Sequence, residues 1–194
     1  MQKTNFKKYK AIVCGFDGTL VGRQLKIPFP VQNAIKSLSK YKIYFSIASG
    51  RSFVGPIEEA CRILNLKTPQ ITRGGAEIIN PVNKKVLHQE LIPNKEINKL
   101  QEFLKKNQIF YYIEKGNFIY TKNGEEMKGI RNISIKKLDH LELSNIPKVG
   151  TQNIGNFKDE IHFEESIKNV LRSSHYKIKY PSWEKLGCDG GSCK

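Results

Sequence analysis

The residues best suited to do chemistry sit in two short stretches. The first is Phe16-Asp17-Gly18-Thr19-Leu20, which follows the apolar run from Ala11. A strand that opens into a glycine turn presents side chains at the carboxyl edge of a sheet, where ligands bind in open α/β folds. Asp17 in that place is a candidate general acid/base and Thr19 a candidate hydrogen-bonding group. An Asp-Gly turn by itself is ordinary structure. The second stretch is Ser49-Gly50-Arg51, after the run Ile43 to Ala48. A small hydroxyl and a glycine N–H suit a phosphate oxygen at a strand-to-helix turn. Arg51 could reach the same oxygen, although an arginine at a helix start more often serves the fold or the solvent. Two such loops, one helix apart, are more specific than either alone.

The elements that must position them follow from periodicity. Lys10 to Phe16 is a nearly continuous apolar run, the pattern of a strand buried on both faces of a parallel sheet. Pro28 and Pro30 introduce a helix on which Val31, Ala34, Ile35 and Leu38 recur. Ile43 to Ala48 is a second strand of buried type. Val54, Ile57, Cys61 and Leu64 mark a second helix, and "PQIT" with "GGAEII" predicts a third strand and a hairpin. Strand–helix–strand–helix–strand is the signature of a parallel sheet with right-handed crossovers. The pattern changes near Asn80-Pro81. A strand is expected within Lys85 to Leu91. Asn94 is the expected N-cap of a helix carrying Ile97, Leu100, Phe103 and Leu104. A hairpin around Lys115-Gly116 joins Ile109–Ile113 to Asn117–Thr121. Strands near Ile133–Ile135 and Lys148–Thr151, a helix through Phe163, Ile167, Val170 and Leu171, and a last strand Tyr176–Tyr180 complete an α+β pattern.

The two loops, their order and the Gly74-Gly75-Ala76 element after the third strand resemble the haloacid dehalogenase superfamily of phosphatases. More narrowly they resemble its Cof-type branch, in which a large α+β cap follows the third core strand. The motifs there read Asp-x-Asp-Gly-Thr-Leu, Thr/Ser-Gly-Arg and Asn-Gly-Ala. This chain has Gly15-Phe16-Asp17-Gly18-Thr19-Leu20, Ser49-Gly50-Arg51 and Gly74-Gly75-Ala76. The resemblance implies a fold: a partial parallel Rossmann-like core over residues 1–80, and an α+β cap over 81–194 whose last residues return toward the core. It also implies roles. Asp17 matches the general acid/base, with its backbone carbonyl a magnesium ligand. Thr19, Ser49, Gly50 and Arg51 fall at phosphate-binding positions. Lys194, in "GGSCK", matches the lysine that pairs with nucleophile and phosphate. The cofactor implied is Mg2+, the substrate a small phosphorylated metabolite.

The departure is at Gly15. It stands where the family has its nucleophilic aspartate, which is also a magnesium ligand. Glycine cannot carry out covalent catalysis by a carboxylate. The family's acidic loop, which completes the metal site, finds no match, since Asp189 precedes Lys194 instead of following it. Losing a nucleophile in a concerted unit can cost on the order of a million-fold in turnover. The chain as given is therefore expected to lack meaningful phosphatase activity. Without the family's later strands, 11–16 is expected to be a long apolar edge. Either a fragment of a longer product or a partner chain that supplies those strands would account for it.

Composition bounds the alternatives. At 194 residues and 39% hydrophobic, the chain can form one ordinary domain or two small ones. No stretch reaches the roughly 18 apolar residues of a membrane helix, and the basic start is a poor signal peptide. A soluble cytoplasmic protein is expected. Cys14, Cys61, Cys188 and Cys193 read as free thiols. Cys188 and Cys193 could ligate a metal, but no second Cys/His pair at ligand spacing accompanies them. His88, His140, His162 and His175 also lack ligand spacing. The net charge of +15 favours phosphorylated or polyanionic partners. It is spread along the chain, +9 of it in residues 1–80, and forms no recognition helix or aromatic platform. A basic nucleic-acid binder therefore ranks below two other readings: a phosphatase, and a catalytically silent homologue that binds a phospho-ligand or a protein.

Overall fold

The computed structural model describes residues 9–124, 133–151 and 155–171, without the side chain of His140. The chain forms two compact units, Met1–Gln89 and Glu90–Lys194. The division falls nine residues beyond Asn80-Pro81. Residues 81–89 stay with the first unit because β5 (Val86–Gln89) pairs antiparallel with β4 (Glu77–Ile79). The expected Tyr176–Tyr180 strand, Lys194, Asp189, Trp183, His175, Cys188 and Cys193 lie outside the described residues.

The first unit is a five-stranded sheet in sequence order: β1 (Ala11–Gly15), β2 (Tyr44–Ala48), β3 (Gln70–Thr72), β4 and β5. β1, β2 and β3 are parallel, and β3 turns into the antiparallel β4. Helices α1 (Phe29–Ser37) and α2 (Glu58–Leu64) form the two crossovers. Pro30 lies inside the first turn of α1, where its missing N–H costs nothing. Ile35 of α1, Ala60, Cys61 and Leu64 of α2, and Phe45 and Ile47 of β2 share one core with Phe16, Leu20, Val21 and Ile57.

Among the described residues β1 meets the expectation of an apolar edge and departs from that of a strand buried on both faces. It is not buried on both faces: Ile12 is 38% and Val13 58% exposed. The register accounts for Val13, and the edge position for Ile12. Parallel partners share a face, and Ala11, Val13 and Gly15 lie opposite Tyr44, Ser46 and Ala48. Tyr44 is itself exposed, so this face carries no covering layer among the described residues. Among the described residues β1 is also the end strand of the sheet, paired with β2 alone. Continuous apolarity thus marked a strand correctly, but the strand is an apolar edge.

The second unit is a four-stranded sheet of order β8-β7-β6-β9, with β6 (Tyr111–Lys115), β7 (Phe118–Thr121), β8 (Ser134–Lys137) and β9 (Lys148–Thr151). The Lys115-Gly116 hairpin forms, and β7–β8 is the parallel pair in an otherwise antiparallel sheet. Helices α3 (Asn94–Lys106) and α4 (Glu160–Val170) contribute Ile97, Leu100, Leu104, Phe163 and Ile167 to a core that includes Tyr111, Ile113 and Ile146. Asn94 is the first residue of α3 and not its N-cap. Pro93 holds that place with no side-chain cap, because the proline fixes the φ with which the chain enters the helix. A side-chain cap is found instead on α4, where Asp159 accepts from the His162 N–H at 2.9 Å.

Candidate active site

The site grows from the carboxyl ends of β1 and β2, which end side by side with Gly15 opposite Ala48. After Gly15 the chain folds back at once. Leu20 N–H and Val21 N–H both donate to the Phe16 carbonyl at 3.0 Å, and Gly18 N–H donates to Val21 O at 2.9 Å. Gly18 takes φ 72°, a left-handed conformation that glycine accepts without a Cβ penalty. Phe16, Leu20 and Val21 are driven into the core, and their burial fixes the loop. Asp17 and Thr19 alternate with them and are left at the surface. A Cβ built on Gly15 would lie 3.2 Å from Thr19 Oγ1. The loop therefore sets the Thr19 hydroxyl directly beside the end of β1.

The second loop is held more firmly. Ser49 N–H donates to Ile71 O at 2.9 Å, extending the β2–β3 pairing by one residue. Gly74 N–H donates to Ser49 O at 2.9 Å, and Arg73 N–H to Arg51 O at 2.8 Å. The turn after β3 thus clamps both ends of Ser49-Gly50-Arg51. Within the loop, Arg51 N–H donates to Ser49 Oγ at 3.1 Å, which leaves the Ser49 hydroxyl proton to be given elsewhere.

The two loops meet through one ion pair. Arg51 Nε donates to both carboxylate oxygens of Asp17, at 3.0 and 2.9 Å, and an Arg51 Nη donates to Oδ1 at 2.7 Å. The guanidinium lies 6.0 Å from the centroid of the buried Phe16 ring. Asp17 remains 42% exposed and Arg51 20%. Sequence reasoning brought Asp17, Thr19, Ser49, Gly50 and Arg51 to one sheet edge, and the structure gathers them there. It gives Arg51 a partner the sequence did not suggest.

Beneath the second loop lies a polar cluster that sequence reasoning missed. Arg73 Nε pairs with Glu77 Oε2 at 3.3 Å, both side chains almost wholly buried. Thr72 Oγ1 donates to Glu77 Oε1 at 2.8 Å, and Gln89 Nε2 to Oε2 at 3.4 Å. Gln70, fully buried, accepts from Ile47 N–H through its side chain at 2.7 Å, replacing a bond of the β2–β3 ladder. Arg73 and Glu77 stand at the i,i+4 spacing of a helical ion pair, but the glycines between them break any helix, so the spacing did not point to a buried pair. The one available clue was a charged pair flanking the glycines of a hairpin.

The two described cysteines offer little reactivity. Burial pushes the Cys14 thiol up, and burial with the nearby Glu58 charge pushes Cys61 up to about 12. Thiols held that high are not nucleophiles at neutral pH.

Magnesium asks for near-octahedral oxygen ligation, usually with one or two carboxylates. Among the described residues the side chains do not make such a site. Gly15 offers none, and the Asp17 carboxylate is engaged by the Arg51 fork, which leaves the Asp17 backbone carbonyl. Among the described residues no group of three His, Cys, Asp or Glu side chains is placed to hold a metal.

A sheet whose first two strands are parallel and end in loops joined by an ion pair, followed by an α+β unit, defines an α/β protein of two units. Residues 12–186 match the haloacid dehalogenase-like hydrolase family, and the chain belongs to that family. Over 116 residues it is 31% identical to a protein of Buchnera aphidicola subsp. Baizongia pistaciae that carries the name of a phosphatase; the match covers 59% of this chain and 43% of that one. A sugar phosphatase of haloacid dehalogenase subclass IIB superimposes with a TM-score of 0.70 at 19% identity, covering 89% of this chain and 67% of that one. A haloacid dehalogenase-like hydrolase from Bacteroides thetaiotaomicron gives a TM-score of 0.63 at 19% identity, with 84% and 63% covered. At such identities the superpositions establish the fold. The chain spans less than half of that curated relative and about two thirds of these solved structures.

Proposed function

We propose that this chain is the phosphoryl-recognising part of a phosphomonoester hydrolase of small phosphorylated metabolites, and that as it stands it binds its ligand without turning it over. The observation that carries this reading is Gly15. It ends β1 at the centre of the two loops, with Thr19 Oγ1 3.2 Å from where a Cβ would be, and it has no carboxylate with which to attack phosphorus.

The surviving residues suit recognition. Thr19 and Ser49 offer hydroxyls, Gly50 a backbone N–H, and Arg51 a planar cation that matches phosphate geometry. By resemblance, Asp17 is the proposed general acid that would protonate a leaving alkoxide. The family is generally magnesium-dependent, and the metal would supply charge stabilisation at the transferring phosphoryl group. Among the described residues no set of side chains completes a site for it. Lys194 remains the proposed partner of the phosphoryl group by resemblance, and the second unit the proposed determinant of substrate choice. The exposure of Ile12 and Val13 on the edge strand supports further strands beside β1, from the same product or from a partner chain. The cytoplasm is the proposed compartment. No helix among the described residues is long and apolar enough to cross a membrane.

The test is magnesium-dependent phosphate release from a generic aryl phosphate, with the chain as given and Gly15→Asp measured side by side. Turnover by the aspartate variant alone supports the reading and assigns the silence to Gly15. Turnover by the chain as given, well above a mock purification, overturns it. If neither variant turns over, Gly15 is not the sole cause of the silence.

A further inference from the structure

We propose that the site of this chain takes up a phosphate-class oxyanion without a divalent cation, with Arg51 as the cation that both Asp17 and the anion share. The inference rests on the phosphoryl-binding reading above and goes beyond it by replacing the family's metal with a side chain.

Three observations carry it. First, the charge that a metal would balance is reduced: Gly15 removes one carboxylate, and Asp17 is the acidic side chain remaining in the two loops. Second, that carboxylate already has its counter-charge. The Arg51 Nε–H bridges both Asp17 oxygens and one Nη–H adds a third contact at 2.7 Å. A cation that called on the Asp17 carboxylate would have to displace a bidentate guanidinium, a charge-assisted contact. Third, a guanidinium carries five N–H donors, and Asp17 engages two of them. The other three can serve an oxyanion beside Ser49 Oγ and Thr19 Oγ1. The loop is clamped by Arg73 N–H to Arg51 O and Gly74 N–H to Ser49 O, so these donors are set in place before the anion arrives.

The arrangement has a consequence that a metal site would not share. A site that holds its anion through a metal would release it in chelator, whereas this one would keep it. Here Asp17 competes with the anion for Arg51 and repels it, so neutralising Asp17 strengthens binding.

The experiment is calorimetric titration of inorganic phosphate into the full chain, in magnesium and in chelator. The variants are Asp17→Asn, Arg51→Gln and Arg51→Lys. The wild-type affinity is expected to be the same within about twofold with and without magnesium. Asp17→Asn should bind about tenfold more tightly or better, a gain that misfolding cannot imitate. Arg51→Gln should lose about tenfold or more. Arg51→Lys should recover only part of it, since an ammonium lacks the fork. Binding that needs magnesium, or that weakens in Asp17→Asn, overturns the inference while leaving the phosphoryl-binding reading intact. Absence of phosphate binding in every variant and condition overturns both.

Discussion

Glu77 gives the sharpest test of how the site is held. Its carboxylate lies almost wholly buried and accepts from Thr72, Arg73 and Gln89. Glu77→Gln keeps the volume, so no cavity opens. It removes the charge that balances Arg73, whose side chain is 4% exposed. It also turns one acceptor into a donor that faces other donors. Breaking a buried ion pair from one side costs about 3–5 kcal/mol. At about 1.4 kcal/mol per decade, this means local opening at least about a hundredfold more frequent. Amide hydrogen exchange is the assay, because it reads this unit alone. The reporters are Ile47, Ser49 and Gly74, whose N–H groups bond across the β2–β3–turn framework. All three should lose protection together. The double variant Arg73→Met/Glu77→Leu, which removes both charges, should recover most of the protection, since an apolar pair avoids desolvation. If Glu77→Gln alters exchange by less than about fivefold, or if the double variant is worse than the single, the buried pair does not hold the loop as argued.

Three further outcomes are expected. Gly15→Asp should fold, because its Cβ meets Thr19 Oγ1 at 3.2 Å in a backbone any residue can adopt, and thermal unfolding should show a cost within about 1 kcal/mol; a collapse of the first unit would refute the space argument. Gly150→Ala should destabilise the second unit by about 1–3 kcal/mol, because the new methyl overlaps the Tyr112 ring. Most of that cost should vanish in the background Tyr112→Ala, as a denaturation double-mutant cycle would read. His162 should titrate above the ordinary imidazole range, because it hydrogen-bonds Asp159 at 2.7 Å and feels its charge. Asp159 is lowered by accepting from the His162 backbone and ring. The raised His162 stabilises α4 fully below the unfolded imidazole pKa, and that contribution fades as pH rises through the folded value. The Asp159 contribution is present above the unfolded carboxyl pKa and is lost as pH falls through its lowered one. An NMR titration of Asp159→Asn should return His162 to its ordinary midpoint; an unchanged midpoint would remove the pair as the cause.

Local pattern made much of the framework legible. Apolar runs gave β1 and β2, helical spacing gave α1, α2, α3 and α4, and Lys115-Gly116 gave the β6–β7 turn, because each is encoded by neighbours within a few residues. Asn94 shows the limit of the same reasoning: a good capping residue lost its place to Pro93, and the cap appeared at Asp159. β1 shows another. Apolarity along a strand states that it can be buried, whereas its neighbours in the sheet decide whether it is.

The site divides in the same way. By itself, the sequence determined that Asp17, Thr19, Ser49, Gly50 and Arg51 end two consecutive strands, and that Gly15 deprives the first loop of a carboxylate. Only the tertiary structure decided that Arg51 closes on Asp17 across 34 positions of chain, that Arg73 and Glu77 are buried beneath the loop, and that the Gln70 side chain completes the β2–β3 ladder. The physical reason is range. Turns and strands are specified by local backbone preference, whereas the partner of a charge is fixed by which strand ends the parallel register brings together.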